Sequence, residues 1–219
     1  MQNLPLVKNS WLFGLAVPIL GLLALIPLGL FLVDSEVHLY EISFYQQSLH
    51  RVDSGFIHEF SHFVAVAFAP LGAVLITLAT AGFIAWKRDR LFALYFISLA
   101  FSSWLGAALV KPLVARPRPN PLDFSVIFDP VANSLSFPSG HTAFSVGFFA
   151  ALVIVLVSPK FWTRGFMLVA CGVFIVAATR VIVIAHFPTD VIAGAFAGTF
   201  GVLICAFLWQ QIVLRKSCV

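Results

Sequence analysis

Charge is what this sequence has least of. Only 10% of its 219 residues are Asp, Glu, Lys or Arg, against roughly a quarter in a soluble domain. Intrinsic disorder is excluded, because 61% of the chain is hydrophobic and mean hydropathy is +1.02. A nucleic-acid-binding domain is excluded as well, and no nucleic-acid partner is expected despite the formal net charge of +4. Cysteine is nearly absent. Cys171 and Cys205 sit inside apolar runs and Cys218 is next to the C-terminus, so there is neither a disulfide framework nor a metal-type spacing. Internal repeats, low-complexity tracts and a second domain are also missing; residues 1–219 read as one membrane-embedded domain.

What the chain does have is long apolar runs. About 20 apolar residues cross the bilayer core, and six runs qualify: Trp11–Val33, Phe63–Trp86, Leu91–Val110, His141–Val157, Gly165–Ala185 and Val191–Trp209. The expected fold is an all-α, integral-membrane bundle of six transmembrane helices. The first run is too long for a removable signal peptide and lacks a small-residue cleavage site, so it reads as a retained helix. Pro18, Pro27 and Pro70 are expected to kink their spans. Between the first two spans, Leu39, Ile42, Tyr45 and Leu49 recur at helical spacing, which predicts an interfacial helical segment within 34–62. His38 and His50 there read as surface residues.

The few charges then orient the chain. Six spans put both termini on one side, with Lys8, Lys87, Arg88, Arg90, Lys160, Arg164, Arg215 and Lys216 against a single acid, Asp89. The other eight acids (Asp34, Glu36, Glu41, Asp53, Glu59, Asp123, Asp129 and Asp190) fall on the opposite side with Arg51, Lys111, Arg116, Arg118 and Arg180. The positive-inside rule makes this a multi-pass cell-membrane protein with cytoplasmic termini.

Charges at membrane depth are costly and mark function by default. Here they gather at one outer level. Lys111 closes the third span, and Arg116 and Arg118 follow it. Pro138-Ser139-Gly140-His141 opens the fourth, Arg180 and His186 end the fifth, and Asp190 starts the sixth. Taken singly, the basic residues read as a headgroup cluster and each histidine as structural. Together they suit an anion site. Lys111, Arg118 and Arg180 would neutralise a multiply charged group. Ser139 is a good N-cap, and the N–H groups behind it, with Gly140 allowing close approach, form a helix N-terminus that favours anions. His186 with Asp190 suits a nucleophile held by a carboxylate, Pro188 breaking the helix so that Asp190 folds back. His141 is placed to act as general acid.

Lys111-x6-Arg118-Pro119, Pro138-Ser139-Gly140-His141 and Arg180-x5-His186-x3-Asp190 resemble, in order and spacing, the three-part signature of the type 2 phosphatidic acid phosphatase superfamily. That family usually carries Ser before its third-block arginine; Thr179 stands there in this chain and keeps the hydroxyl. The resemblance implies phosphate binding by Lys111, Arg118, Ser139, Gly140 and Arg180. It also implies attack by His186 to give a phosphohistidine, orientation by Asp190, protonation of the leaving group by His141, and no metal or other cofactor. The family's soluble vanadium haloperoxidases are a poor parallel for a chain full of spans. The expected substrate is a lipid phosphate from the outer leaflet, with undecaprenyl diphosphate as first choice. Phosphatidylglycerophosphate, phosphatidate and a lipid phosphotransferase reaction are the alternatives.

A competing motif is His58-Glu59-Phe60-Ser61-His62, which matches the zinc-protease pattern H-E-x-x-H. Catalytic zinc needs a third ligand, and none is evident outside the phosphate constellation. The plainer reading is a hydrated segment lining the entrance to the phosphate site. A transporter is disfavoured because the inner halves of the spans carry no charge.

Overall fold

A computed structural model describes residues 10–48, 55–119 and 135–217. Lys8, Leu49, His50, Arg51, Asp53, Asp123, Asp129 and Cys218 lie outside the described residues. All regular elements within them are helical. In chain order they are α1 (Val17–Val33, preceded by a π-helical stretch Leu12–Ala16), α2 (Glu36–Ser48), α3 (Gly55–Phe68), α4 (Pro70–Lys87), α5 (Arg90–Val114), α6 (Gly140–Leu156), α7 (Trp162–Ile182) and α8 (Pro188–Ser217). Five stretches are long and apolar enough to cross a membrane: Leu12–Val33, Pro70–Lys87, Arg90–Val114, Pro159–Ile182 and Pro188–Ile212. The apolar helix α6 is shorter, at 17 residues.

Three expectations are corrected. The second span is not one helix from Phe63 to Trp86. It breaks at Ala69, whose ψ of 160° is extended, and Pro70 starts α4. Proline disfavours helical geometry in the residue before it and is well suited to a first helical turn, so Pro70 divides the run rather than kinking it. The third span does not close at Lys111. α5 runs through Pro112 to Val114 and stops where Ala115 turns left-handed, at φ 52°. The fifth does not reach Ala185. α7 ends at Ile182, and Ile184 has φ 56°. Arg180 is therefore in the last turn of its helix, and His186 lies beyond the helix end.

α5, α6 and α8 form the centre, with α1 against α5 and α8, α4 against α5, and α7 against α6. Small residues let these backbones touch. A Cβ on Gly106 of α5 would lie 2.8 Å from the Ala197 carbonyl of α8. Two apolar clusters fill the seams. One, around Tyr95, Phe96, Leu99, Ala151 and Val155, lies toward the α5 N-terminus. The other, around Leu25, Leu32, Val110, Val114, Phe137 and Ala197, lies toward the end where α5 stops and α6 and α8 begin. At that end α2 lies across the turn between α7 and α8, packing Tyr45 and Ile42 on Ile184 and Phe187.

Candidate active site

Antiparallel packing brings the C-terminal turns of α5 and α7 and the N-termini of α6 and α8 to one end. Local chemistry shapes each. Ser139 caps α6 through its Oγ, which accepts from Thr142 N and Thr142 Oγ1. Its own N–H donates to the Asp190 carbonyl at 2.9 Å, tying α6 to α8. Gly194 makes this docking possible, since a Cβ there would collide with Ser139. After α7 the chain folds back as Ala185 N and His186 N both donate to Arg180 O. Pro188 then opens α8. Asp190, in its first turn, reaches back to accept the Phe187 N–H at 2.9 Å, which is half of a capping box.

His186 and Asp190 are both 0% exposed. His186 Nδ1 lies 3.7 Å from Asp190 Oδ2, beyond hydrogen-bond range. Ser136 joins them: its Oγ donates to Asp190 Oδ2 and lies 3.4 Å from His186 Nδ1. The other ring nitrogen, Nε2, is buried with no hydrogen-bond partner. Burial, opposed by the neighbouring Asp190 and reinforced by Arg118 and Lys111, lowers the imidazole to about 4. His186 is thus a neutral ring with a free lone pair at Nε2.

Lys111, Arg118, Gly140, His141 and Arg180 line one cavity of about 490 Å³. Backbone carbonyls fix the cations. Lys111 Nζ donates to Leu135 O at 2.8 Å and Ser136 O at 3.3 Å. Arg118 Nη1 donates to Ala185 O at 3.0 Å, and Arg180 Nη2 to Ser61 O at 2.6 Å. Three cationic side chains on one cavity wall suit an anionic ligand. Thr179 Oγ1 donates to Val176 O and accepts from Arg180 Nε at 3.4 Å, which steadies that guanidinium. His141 Nε2 is 3.2 Å from Ala65 O, so this nitrogen carries the proton. To act as an acid His141 must exchange that carbonyl for the substrate. The rest of the wall is largely apolar and includes Ala65, Val66, Phe68, Pro70, Trp104 and Val183. His186, Asp190 and Ser139 lie behind the lining rather than on it.

His58 and His62 also line the cavity, while Glu59 is exposed. Among the described residues no group of three His, Cys, Asp or Glu is placed to hold a metal. The surface reading of His38 is overturned: it is half-buried and its Nδ1 accepts from Arg116 Nη2 at 2.8 Å. Sequence reasoning also missed Ser136, Glu41 and Tyr45. Glu41 pairs with Arg116, and Tyr45 donates its hydroxyl proton to the His186 carbonyl. Ser136 had no spacing signal. Glu41 could have been found as an acid on a helix face that also carries apolar Tyr45.

A family model described as the PAP2 superfamily matches residues 90–214. The chain is 36% identical over 131 residues to a lipid A 1-phosphatase of Rhizobium etli, covering 57% of this chain and 52% of that protein. A lipid A 4'-phosphatase of Bacteroides thetaiotaomicron is 27% identical over 125 residues, covering 54% of each. The chain spans about half the length of the curated relatives it matches. A crystal structure of a transmembrane PAP2-type phosphatidylglycerolphosphate phosphatase from Bacillus subtilis superposes with a TM-score of 0.69. It is 19% identical and is covered over 96% of its length by 89% of this chain, a likeness of fold.

Proposed function

The chain is a multi-pass membrane protein belonging to the PAP2 superfamily, and from that premise we propose that it hydrolyses a lipid phosphate through a phosphohistidine. The observation that carries the proposal is the unpartnered Nε2 of buried His186 beside a cavity lined by Lys111, Arg118 and Arg180. Nε2 attacks phosphorus while the three cations and the α6 N-terminus hold the phosphoryl oxygens. The P–O bond to the lipid breaks and His141 gives its proton to the leaving oxygen. Asp190 balances the imidazolium that forms. Water then attacks phosphorus, His141 takes the water proton, the P–N bond breaks, and inorganic phosphate leaves.

The relatives bear on the substrate. Lipid A 1-phosphatases at 36% and 34% identity favour a phosphate on a glycolipid headgroup. Undecaprenyl diphosphate, the first choice from sequence alone, has no named relative behind it. The test is phosphate release by the purified protein from lipid A, undecaprenyl diphosphate, phosphatidylglycerophosphate and phosphatidate in detergent. Lipid A should be the best substrate, with its 1-phosphate released. Preference for undecaprenyl diphosphate would reinstate the first choice, and no release from any of the four would overturn the proposal. EDTA should leave the rate unchanged; loss restored by zinc would favour His58, Glu59 and His62 instead.

We further propose six crossings, with α6 as the sixth. Its 17 residues rise about 25 Å, close to the hydrocarbon thickness of about 30 Å. The charge sorting puts both termini in the cytoplasm and the cavity outside, so substrate enters from the outer leaflet. In a background free of Cys171, Cys205 and Cys218, Glu59→Cys should react with an impermeant thiol reagent on intact cells. Labelling only after lysis would invert the orientation.

A further inference from the structure

Arg116 is fully buried but does not line the cavity. Its Nη1 donates to Thr189 Oγ1 and Asp190 Oδ1, and its Nη2 to Glu41 Oε2 and His38 Nδ1, each at 2.8 Å. The guanidinium lies over the Phe187 ring, 4.3 Å from its centroid. Glu41 Oε1 in turn accepts from Thr189 N and Thr189 Oγ1, both at 2.8 Å. Helix α2 therefore grips the turn that carries His186 and Asp190 through a shared guanidinium as well as through Tyr45. Glu41 and His38 lie outside the stretch matched by the family model.

We propose that Glu41 and Arg116 are positioning residues for the His186–Asp190 pair, so that α2 sets both the aim and the effective charge of the carboxylate supporting the nucleophile. The proposal rests on the phosphohistidine reading above. Arg116 stands between two buried carboxylates and divides its charge between them. Without Glu41, the whole guanidinium charge falls on Asp190, which then supports an imidazolium less well. Without Arg116, Asp190 keeps only Ser136 and the Phe187 N–H, and its full negative charge acts on His186. A purely mechanical brace would make no such distinction.

The direction of the effect is the test. The acid limb of kcat/KM reports protonation of the free enzyme's essential base, here His186. The other charged and titratable groups around it are Lys111 from α5, Arg118 from the segment after it, His141 from α6 and Arg180 from α7. From α2, Tyr45 reaches the His186 backbone carbonyl and His38 sits on the Arg116 guanidinium. Both substitutions below leave all six in place.

The protein is assayed in detergent with whichever of lipid A, undecaprenyl diphosphate, phosphatidylglycerophosphate and phosphatidate it dephosphorylates fastest. Glu41→Gln should lower kcat about 10- to 100-fold, as loss of a partner that orients a functional group commonly does. KM should stay within about threefold, and the acid limb should move to lower pH. Arg116→Gln should lower kcat at least as much and move the limb to higher pH. Tyr40→Ala, on the exposed side of α2, should match wild type. Unchanged kcat in both variants, or limbs that stay put or move together, overturns this inference while leaving the phosphatase reading intact. If Arg116→Gln does not fold, the direction of the Glu41→Gln shift decides alone. If wild type releases no phosphate, or His186→Ala releases as much as wild type, the phosphatase reading falls and this inference with it.

Discussion

Replacing His186 with alanine is expected to remove phosphate release, by on the order of 10⁴-fold or more, and to leave a folded protein. The size follows from covalent catalysis: without the nucleophile only the cationic cavity and the helix N-terminus remain to stabilise charge, and such remnants recover a small part of the rate. The fold should persist because His186 contributes little to the polar network around it. Its Nε2 has no partner, and Asp190 keeps Arg116, Ser136 and the Phe187 N–H. The Tyr45 contact is to the His186 backbone carbonyl, which alanine retains. The measurement is alkali-quenched trapping of radiolabelled phosphate on the protein in SDS, with thermal unfolding of the unquenched protein in the assay detergent. Wild type should give a base-stable, acid-labile phosphoenzyme and His186→Ala none. Undiminished release by the variant would end the mechanism.

Asp190 should separate chemistry from stability. Asp190→Asn keeps the shape and the capping geometry but loses the charge, and kcat should fall about 10³- to 10⁴-fold, as in other carboxylate–histidine pairs. Asp190→Ala should lose activity to the same degree and also stability. It strips partners from Arg116, Ser136 and the Phe187 N–H in a site that is 0% exposed. Breaking a buried ion pair by deleting one member costs about 3–5 kcal/mol, and the surviving Glu41–Arg116 pair puts the expected loss at the lower end. Denaturant titration of the two variants reads the difference. Wild-type stability of Asp190→Ala would show that this side chain does not hold the turn.

Spacing made three blocks of the site readable in one dimension. Within 111–118, 138–141 and 180–190, residues are held at fixed offsets by local backbone geometry, so chemistry can be inferred from order alone. The Pro188 break and the return of Asp190 toward His186 are of this local kind: a proline and a first-turn carboxylate suffice to derive them. Ser136 is different. It belongs to no periodic pattern, and it reaches Asp190 only because α8 docks its Gly194 face on the start of α6. Lys111 shows a milder version, since its place three residues before the helix end was hidden by Pro112, which the last turn of α5 tolerates.

Scarcity of charge alone determined that this is a membrane protein built of apolar helices, and the positions of those few charges picked out the candidate anion site. Five basic residues were left on the site side by that sorting, and the sequence reading chose Lys111, Arg118 and Arg180 for the anion but gave Arg116 no partner. Tertiary structure supplied it. Lys111, Arg118 and Arg180 reach the cavity, while Arg116, two residues from Arg118, turns away to bind Glu41 and Asp190. The reason is physical. A guanidinium taken out of water needs opposite charge beside it, and the two carboxylates paired with Arg116 come from residues 74 and 75 positions away in sequence. Such a pairing is set by how helices dock, and no local spacing encodes it.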